Sequence, residues 1–139
     1  LLDRLIAIHC NFVSADLDVM AEKKVSAVFC PNSTKWFGRT EFMPVRALLD
    51  LGVNVALGTD SRASNDSLNF LDELRMADEL LPDVSRKEIL TMATCAGGEA
   101  LGLQCGKLAL GQQADLIGFC VPPSYSGSWF RFDSLARAG

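Results

Sequence analysis

Three short apolar runs, separated by amphipathic stretches, organise the first two thirds of the chain. The runs lie at residues 5–10, 25–30 and 53–58, and the second is rich in β-branched residues. Continuous apolar runs of this length are typical of strands buried in a parallel sheet that is covered on both faces. The pattern therefore predicts three parallel strands.

Helical periodicity follows these runs. We predict helices at residues 15–24, 44–52, 67–81 and 85–103. Ser14 precedes the first helix as a candidate N-cap, and Asp66 or Ser67 precedes the third. Ser85 and Glu88 have the spacing of a capping box at the start of the fourth. Strands alternating with helices in this order predict an α/β fold.

The last third of the chain has a different pattern. Residues 105–121 contain two short apolar segments separated by Gly-Gln-Gln and predict a small β element, whereas residues 122–139 form an irregular tail without a period. Three parallel strands make a poor closed domain, and the sequence begins without a methionine. We therefore expect residues 1–104 to be part of a larger α/β domain and the chain to be a fragment.

Composition narrows the class of protein. Of 139 residues, 49% are hydrophobic and 22% are charged, which is typical of a soluble globular protein. The formal net charge of −4 argues against a nucleic-acid partner, which usually leaves a basic face. No apolar run approaches the roughly 18 residues of a membrane span. We expect a cytoplasmic protein with no nucleic-acid or membrane partner.

The cysteines and the single histidine are widely dispersed. We interpret the five cysteines as free thiols in a reducing compartment. No two of them form a Cys-x-x-Cys pair, and an odd number leaves one unpaired even if the other four form disulfides. A structural zinc site would need clustered cysteine and histidine, and His9 is the only histidine. The five cysteines are Cys10, Cys30, Cys95, Cys105 and Cys120.

Polar side chains follow all three predicted strands. His9 closes the first, the segment 30–33 (Cys-Pro-Asn-Ser) follows the second, and Asp60 follows the third. In parallel α/β proteins chemistry gathers at the carboxyl ends of the strands. These residues therefore predict an active site. The Asp60 side chain would lie at the mouth of this site, and the polar loop after Asp60 would let substrate approach.

Each candidate also has a structural interpretation. His9 could be a hydrogen-bonded rim residue, Asp60 could cap a turn, and Cys30 could be a small buried residue. Residues 65–67 suit helix capping. The loop 59–67 could also be an anion site before a helix N-terminus, but it lacks the glycines and the lysine of a phosphate cradle.

Four segments together resemble the amidohydrolase superfamily. They are the strand end "IHC", the turn "CPNS", the long block "PVRALLDLGVNVALGTDSRASNDSLNFLDELRMA" and "GKLALGQQADL". The resemblance reaches to about Cys120 and is closest to the metal-dependent deaminase branch, which acts on adenosine-type and guanine-type substrates. Within that branch, the Gly-Thr-Asp-Ser block looks most like the aminofutalosine deaminases.

The resemblance implies a fold and roles for residues. The fold would be the last three strand–helix units of a distorted TIM-like (β/α)8 barrel, with residues 105–121 as returning strands of a small β-sandwich. Asp60 would be both a ligand of one divalent metal ion, zinc or iron, and the proton shuttle. His9 would face the attacking water and the substrate. Ser61 and Asn65 match positions that shape the pocket mouth.

The chain also departs from the family pattern. Relatives carry His-Asn-Pro or His-Cys-Pro where this chain has Cys30 and Pro31, which puts one substrate contact in doubt. The His-x-His pair of the first barrel strand and the metal-binding histidine of the fifth have no counterpart. Because a catalytic zinc needs about three protein ligands, the sequence predicts a partial active site.

The resemblance implies a hydrolase of non-peptide C–N bonds. The favoured function is that of the carboxyl-terminal portion of a deaminase that releases ammonia from a purine-like or aminofutalosine-like small molecule. One alternative is a hydrolase of another C–N or C–Cl bond, as in triazine hydrolases. The other is a short non-catalytic interaction module, whose open sheet edges would demand a partner strand. Homo-oligomerisation, substrate and metal identity are left open.

Overall fold

The computed structural model describes residues 5–118, and a parallel three-stranded sheet lies at its centre. The strands are β1 (Ile6–Ile8), β2 (Ser26–Phe29) and β3 (Val55–Leu57), in the spatial order β1-β2-β3. Both neighbouring pairs are parallel, with Ala27 of β2 opposite Ala7 of β1 and Val55 of β3. The prediction of three parallel strands is confirmed, although each strand is shorter than its apolar run.

Six helices surround or follow the sheet in the described part of the chain. They are α1 (Leu17–Glu22), α2 (Pro31–Trp36), α3 (Val45–Asp50), α4 (Phe70–Leu80), α5 (Arg86–Ala93) and α6 (Cys95–Ala100). The core collects around the inward side chains of β2, where Ala27 and Phe29 are fully buried, and around β3, which is buried along its whole length. The Phe29 ring packs against Phe42 with 5.7 Å between the ring centres.

Helix α2 is not among the helices that the sequence predicts, since the Cys-Pro-Asn-Ser segment is interpreted there as a turn. Pro31 occupies the first turn of α2, where its missing N–H costs nothing, and the N–H of Thr34 donates to the carbonyl of Cys30. Pro31, Ser33 and Thr34 are buried. The segment after β2 is therefore a rigid turn of helix directly beneath the candidate site.

Two of the predicted helix caps are wrong and one is confirmed. Asn69, and neither Asp66 nor Ser67, caps α4 by accepting a hydrogen bond from the N–H of Leu71. At α1 the N-cap position falls on Asp16 instead of Ser14, and no side chain caps it. The capping box of Ser85 and Glu88 at the start of α5 is confirmed.

The single helix predicted for residues 85–103 is also wrong, since the chain breaks at Thr94. Its backbone angles, φ −128° and ψ −85°, end α5 and begin α6. The returning chain lies against this break: a Cβ atom on Gly106 would be 2.6 Å from the Thr94 carbonyl carbon, and the thiol of Cys95 donates to the Gly106 carbonyl. This approach requires glycine at position 106, where φ is +82°.

Residues 105–118 contain turns and no strand in the described part of the chain. The division into a barrel part, returning sandwich strands and a tail stays a prediction, and residues 119–139 lie outside the described residues. Cys120 is among them, while Cys10, Cys30, Cys95 and Cys105 are free thiols. None of the helices between residues 5 and 118 has the length and apolar character that a membrane crossing requires.

Replacing Ser85 by alanine is expected to lower the free energy of unfolding by about 1 kcal/mol at neutral pH. The Ser85 hydroxyl accepts from the Glu88 N–H and donates to its carboxylate at 2.7 Å. Hydrogen bonds from Ser85, then from Arg46, lower the pKa of Glu88 to about 2. A depressed carboxylate pKa stabilises the fold above the unfolded value, and this stabilisation is lost as the pH falls towards 2.

Denaturant unfolding of the complete protein at pH 7 and near pH 2 measures this effect. The difference between wild type and Ser85→Ala should shrink at the lower pH, because the Glu88 carboxylate is then about half protonated in the folded protein. Ser14→Ala is the matched control, since Ser14 caps no helix. An equal difference at both pH values would contradict the assigned cause.

Candidate active site

Side chains from the carboxyl ends of all three strands meet at one point. His9 directly follows β1, Ser33 lies in the first turn of α2 after β2, and Asp60 follows β3 by three residues. The Ser33 hydroxyl donates to Asp60 Oδ2 at 2.8 Å, and His9 Nε2 lies 3.7 Å from the same oxygen. The structure therefore brings together His9 and Asp60, the two residues to which the sequence assigned catalysis.

The backbone at these strand ends adopts an uncommon conformation. His9, Cys10 and Asp60 have φ angles of +71°, +43° and +58°, and the one other non-glycine residue with positive φ among residues 5–118 is Lys24. Aspartate and histidine enter the left-handed region more readily than most residues, but it still costs free energy. Such strain clusters where side chains are held for function, and here it occurs at the two candidate catalytic residues.

Two serine hydroxyls hold the Asp60 carboxylate. Ser64 donates to Oδ2 at 2.6 Å, and Ser33 donates to the same oxygen. These hydrogen bonds, that of Ser64 first, lower the pKa of Asp60, and the charge of His9 and the backbone N–H of Ser61 act in the same direction. Asp60 is therefore ionised at neutral pH, as a metal ligand or a proton acceptor must be.

Of the two predicted pocket-mouth residues, one is exposed and one is buried. Ser61 is exposed, and its hydroxyl accepts from the N–H of Ala63. Asn65 is 3% exposed, and its amide donates to the Thr59 carbonyl at 2.9 Å and to Glu73 Oε1 at 2.6 Å. Asn65 thus holds the loop that carries Asp60, and substrate contact by either residue stays a prediction.

Glu73 of α4 is a buried carboxylate that sequence reasoning missed. Its side chain is fully buried, and Oε2 accepts from the backbone N–H of Asn32 at 3.1 Å. The available signal was its place on the helix: Glu73 shares the buried face of α4 with Leu74 and Ala77. A carboxylate in an apolar stripe needs hydrogen-bonding partners. Here the partners are the Asn32 N–H and the Asn65 amide, which belong to the candidate site.

Cys30 is not a reactive thiol. The side chain is 2% exposed, and burial, followed by the negative charges of Asp60 and Glu73, raises its pKa to about 12. Since the thiolate is the nucleophile and the metal ligand, Cys30 fits the small buried residue that its position before Pro31 suggested.

A small cleft opens beside His9. Its volume is about 90 Å³, and its lining residues are His9, Asn11, Ser33, Thr34, Phe37 and Arg39. A larger cleft of about 700 Å³ lies along residues 40–47 and the end of α4 and includes neither His9 nor Asp60. The smaller cleft is therefore the one next to the candidate site, since it contains His9, Ser33 and the aromatic ring of Phe37, although Asp60 is not among its lining residues.

Asp60 fits a metal site only in part. Its ionised carboxylate is a suitable hard ligand for a divalent ion, and the imidazole of His9 lies beside it. Among residues 5–118, however, no three histidine, cysteine, aspartate or glutamate side chains are grouped so as to hold a metal ion. The residues between 5 and 118 therefore do not form a complete metal site by themselves.

An ionised carboxylate and a histidine thus meet at the carboxyl ends of parallel strands, the place where α/β enzymes carry their active sites. The comparison with known families agrees, because residues 2–133 match the amidohydrolase family. The chain belongs to that family.

Individual relatives place the chain near purine deaminases. It is 42% identical over 122 residues to the 5-methylthioadenosine/S-adenosylhomocysteine deaminase of Pyrococcus furiosus, covering 82% of this chain and 29% of that protein. The adenosine deaminase of Xanthomonas campestris with bound zinc superposes with a TM-score of 0.75 and 37% identity, covering 81% of this chain and 28% of that one.

One structural relative catalyses a different reaction. The atrazine chlorohydrolase of Arthrobacter aurescens complexed with zinc has a TM-score of 0.72 and 31% identity, covering 81% of this chain and 27% of that one. The chain thus spans less than a third of the length of each of these proteins. The three parallel strands correspond to part of their TIM-type barrels.

Proposed function

We propose that this chain forms the carboxyl-terminal part of the barrel of a metal-dependent deaminase that releases ammonia from a purine-like small molecule. The observation that carries the proposal is the Asp60 carboxylate, held ionised by Ser33 and Ser64 at 3.7 Å from His9. The ionised form is the one that can accept a proton from water, and the imidazole beside it can polarise the reacting group. The similarity to purine deaminases supports it.

The chain's own residues would act in sequence. A bound divalent metal ion would lower the pKa of a water molecule to about 7. Asp60 would be one ligand of that ion, zinc or iron, and would take the proton from the attacking water. His9 would stabilise negative charge that develops at the reacting centre. Asp60 would then deliver the proton to the amino group as it departs as ammonia.

We place the substrate closer to adenosine-type nucleosides than to aminofutalosine. The support is the 42% identity to an enzyme named for 5-methylthioadenosine and S-adenosylhomocysteine. A second candidate function, hydrolysis of a triazine C–Cl or C–N bond, draws on the zinc-complexed atrazine chlorohydrolase at 31% identity. Both reactions are hydrolyses in which water attacks a ring carbon, so the presence of Asp60 alone does not separate them.

The test uses the complete protein that contains this chain. Ammonia release is measured with adenosine, 5-methylthioadenosine, S-adenosylhomocysteine, guanine and aminofutalosine, and chloride release with atrazine. We expect ammonia from at least one adenosine-type nucleoside, loss of activity on chelation and recovery with zinc or iron. Chloride release without deamination would favour the triazine function. Absence of turnover and of metal binding would favour the interaction module.

A further inference from the structure

We propose that Glu73 is a positioning residue that fixes the Asp60 carboxylate relative to Ser33 from beneath the site. This inference rests on the proposed function, since it concerns the same reaction. Glu73 lies on α4 and forms no hydrogen bond with His9 or the Asp60 carboxylate, but its two oxygens bind the loop that carries Asp60 and the first turn of α2, which carries Ser33.

The hydrogen bonds form a closed ring through the Asp60 loop and the first turn of α2. From Asp60 the ring runs through the Thr59 carbonyl, the Asn65 amide and the Glu73 carboxylate. It continues to the N–H of Asn32 and the neighbouring Ser33, whose hydroxyl donates back to Asp60. Each hydrogen bond in the ring is between 2.6 and 3.1 Å long. Glu73 is the one member of the ring that lies on α4, the helix that comes after both β2 and β3 in the sequence.

The chemistry of the two contacts requires a carboxylate at position 73. Oε2 accepts from a backbone N–H and Oε1 accepts from a side-chain amide, so both partners are donors. A carboxylate accepts at both oxygens, whereas the amide of a glutamine would present its own N–H groups to one of the two donors. One hydrogen bond of the ring would therefore open in Glu73→Gln without loss of side-chain volume.

Burial makes this arrangement stiff. Glu73 is 0% exposed, Asn65 3% and Ser33 1%, so water does not replace a broken hydrogen bond easily. An unpaired buried donor at Asn32 would be relieved by movement of the first turn of α2, and one at Asn65 by movement of the Asp60 loop. Either movement shifts Ser33 or Thr59, and with it the carboxylate of Asp60.

The experiment compares wild type and Glu73→Gln in the complete, metal-loaded protein. Positioning predicts a kcat reduced by about 10- to 100-fold with KM nearly unchanged, because substrate is not touched. It also predicts zinc affinity weakened by about 10-fold or more, since partners behind a metal ligand orient it. Zinc affinity is measured by competition with a chromophoric chelator, and thermal unfolding is recorded in parallel.

Glu88→Gln is the matched control. It makes the same change in the capping box of α5, so it should lower thermal stability and leave both kcat and zinc affinity unchanged. If Glu73→Gln likewise lowers only stability, Glu73 is a merely structural residue and the proposal is overturned.

A second variant decides the matter if Glu73→Gln does not fold. Asn65→Ser opens the ring at the next member while the Glu73–Asn32 hydrogen bond stays in place, and we expect the same pattern of lower kcat and weaker zinc binding. Unchanged kcat and zinc affinity in Asn65→Ser would overturn the proposal. If the wild-type protein binds zinc but releases no ammonia, the proposed deaminase function is contradicted. The zinc affinities of wild type and Glu73→Gln then still test whether Glu73 positions Asp60.

Discussion

Replacing Asp60 by asparagine in the complete protein is expected to reduce turnover by at least about 10³-fold. Asparagine does not accept the proton of the attacking water, and it is a weaker, uncharged metal ligand. The fold should survive, because Ser33 and Ser64 donate to the same oxygen, Oδ2, and one amide oxygen can accept both hydrogen bonds. Asparagine also tolerates the φ angle of +58° at this position.

Steady-state kinetics and metal content by elemental analysis measure the effect, with thermal unfolding as the check on folding. Asp66→Asn is the matched control, since Asp66 is an exposed carboxylate in the same loop and should leave turnover unchanged. Full activity in Asp60→Asn would overturn the proposed mechanism.

Replacing His9 is expected to lower turnover by about 10²-fold or more while the metal ion stays bound. The imidazole is 41% exposed and lies beside Asp60 instead of being packed in the core, so its loss removes a polarising group at small cost to the fold. His9→Ala removes the side chain, and His9→Asn also removes the imidazole but suits the φ angle of +71°.

The two His9 variants separate backbone from side-chain effects. Alanine in the left-handed region should cost roughly 1 kcal/mol of stability that asparagine avoids, whereas both should lose turnover equally. Kinetics, metal content and thermal unfolding of the complete protein are the measurements. Metal content that falls in parallel with turnover would show His9 to be a metal ligand, contrary to the assigned role.

The apolar runs predicted all three strands because each strand lies within one of these runs, although only β3 is buried along its whole length. Once the strands are parallel, their carboxyl ends share one edge, so His9 and Asp60 were expected to meet there, and they lie 3.7 Å apart. The capping box at Ser85 was equally predictable, because both partners lie within four residues of each other.

The groups that hold the site depend on approach between distant segments. Ser33 and Glu73 reach their partners across 27 and 41 residues of sequence, respectively, and no local pattern encodes such contacts. At the break at Thr94 the chain is likewise in contact with Gly106 of the next segment, and no local pattern encodes that contact. Helix α2 was missed because its Pro-Asn-Ser start also suits a turn.

The non-glycine residues with positive φ angles have a practical consequence for protein engineering. Lys24 lies just beyond the end of α1, where glycine is the usual residue, so Lys24→Gly is a sensible member of a thermostability library. Glycine at positions 9 and 60 would relieve the backbone in the same way, but it would remove the two side chains of the candidate site. A screen that selects for heat resistance alone would therefore tolerate the loss of catalysis at positions 9 and 60, and these positions should be held constant in any such library.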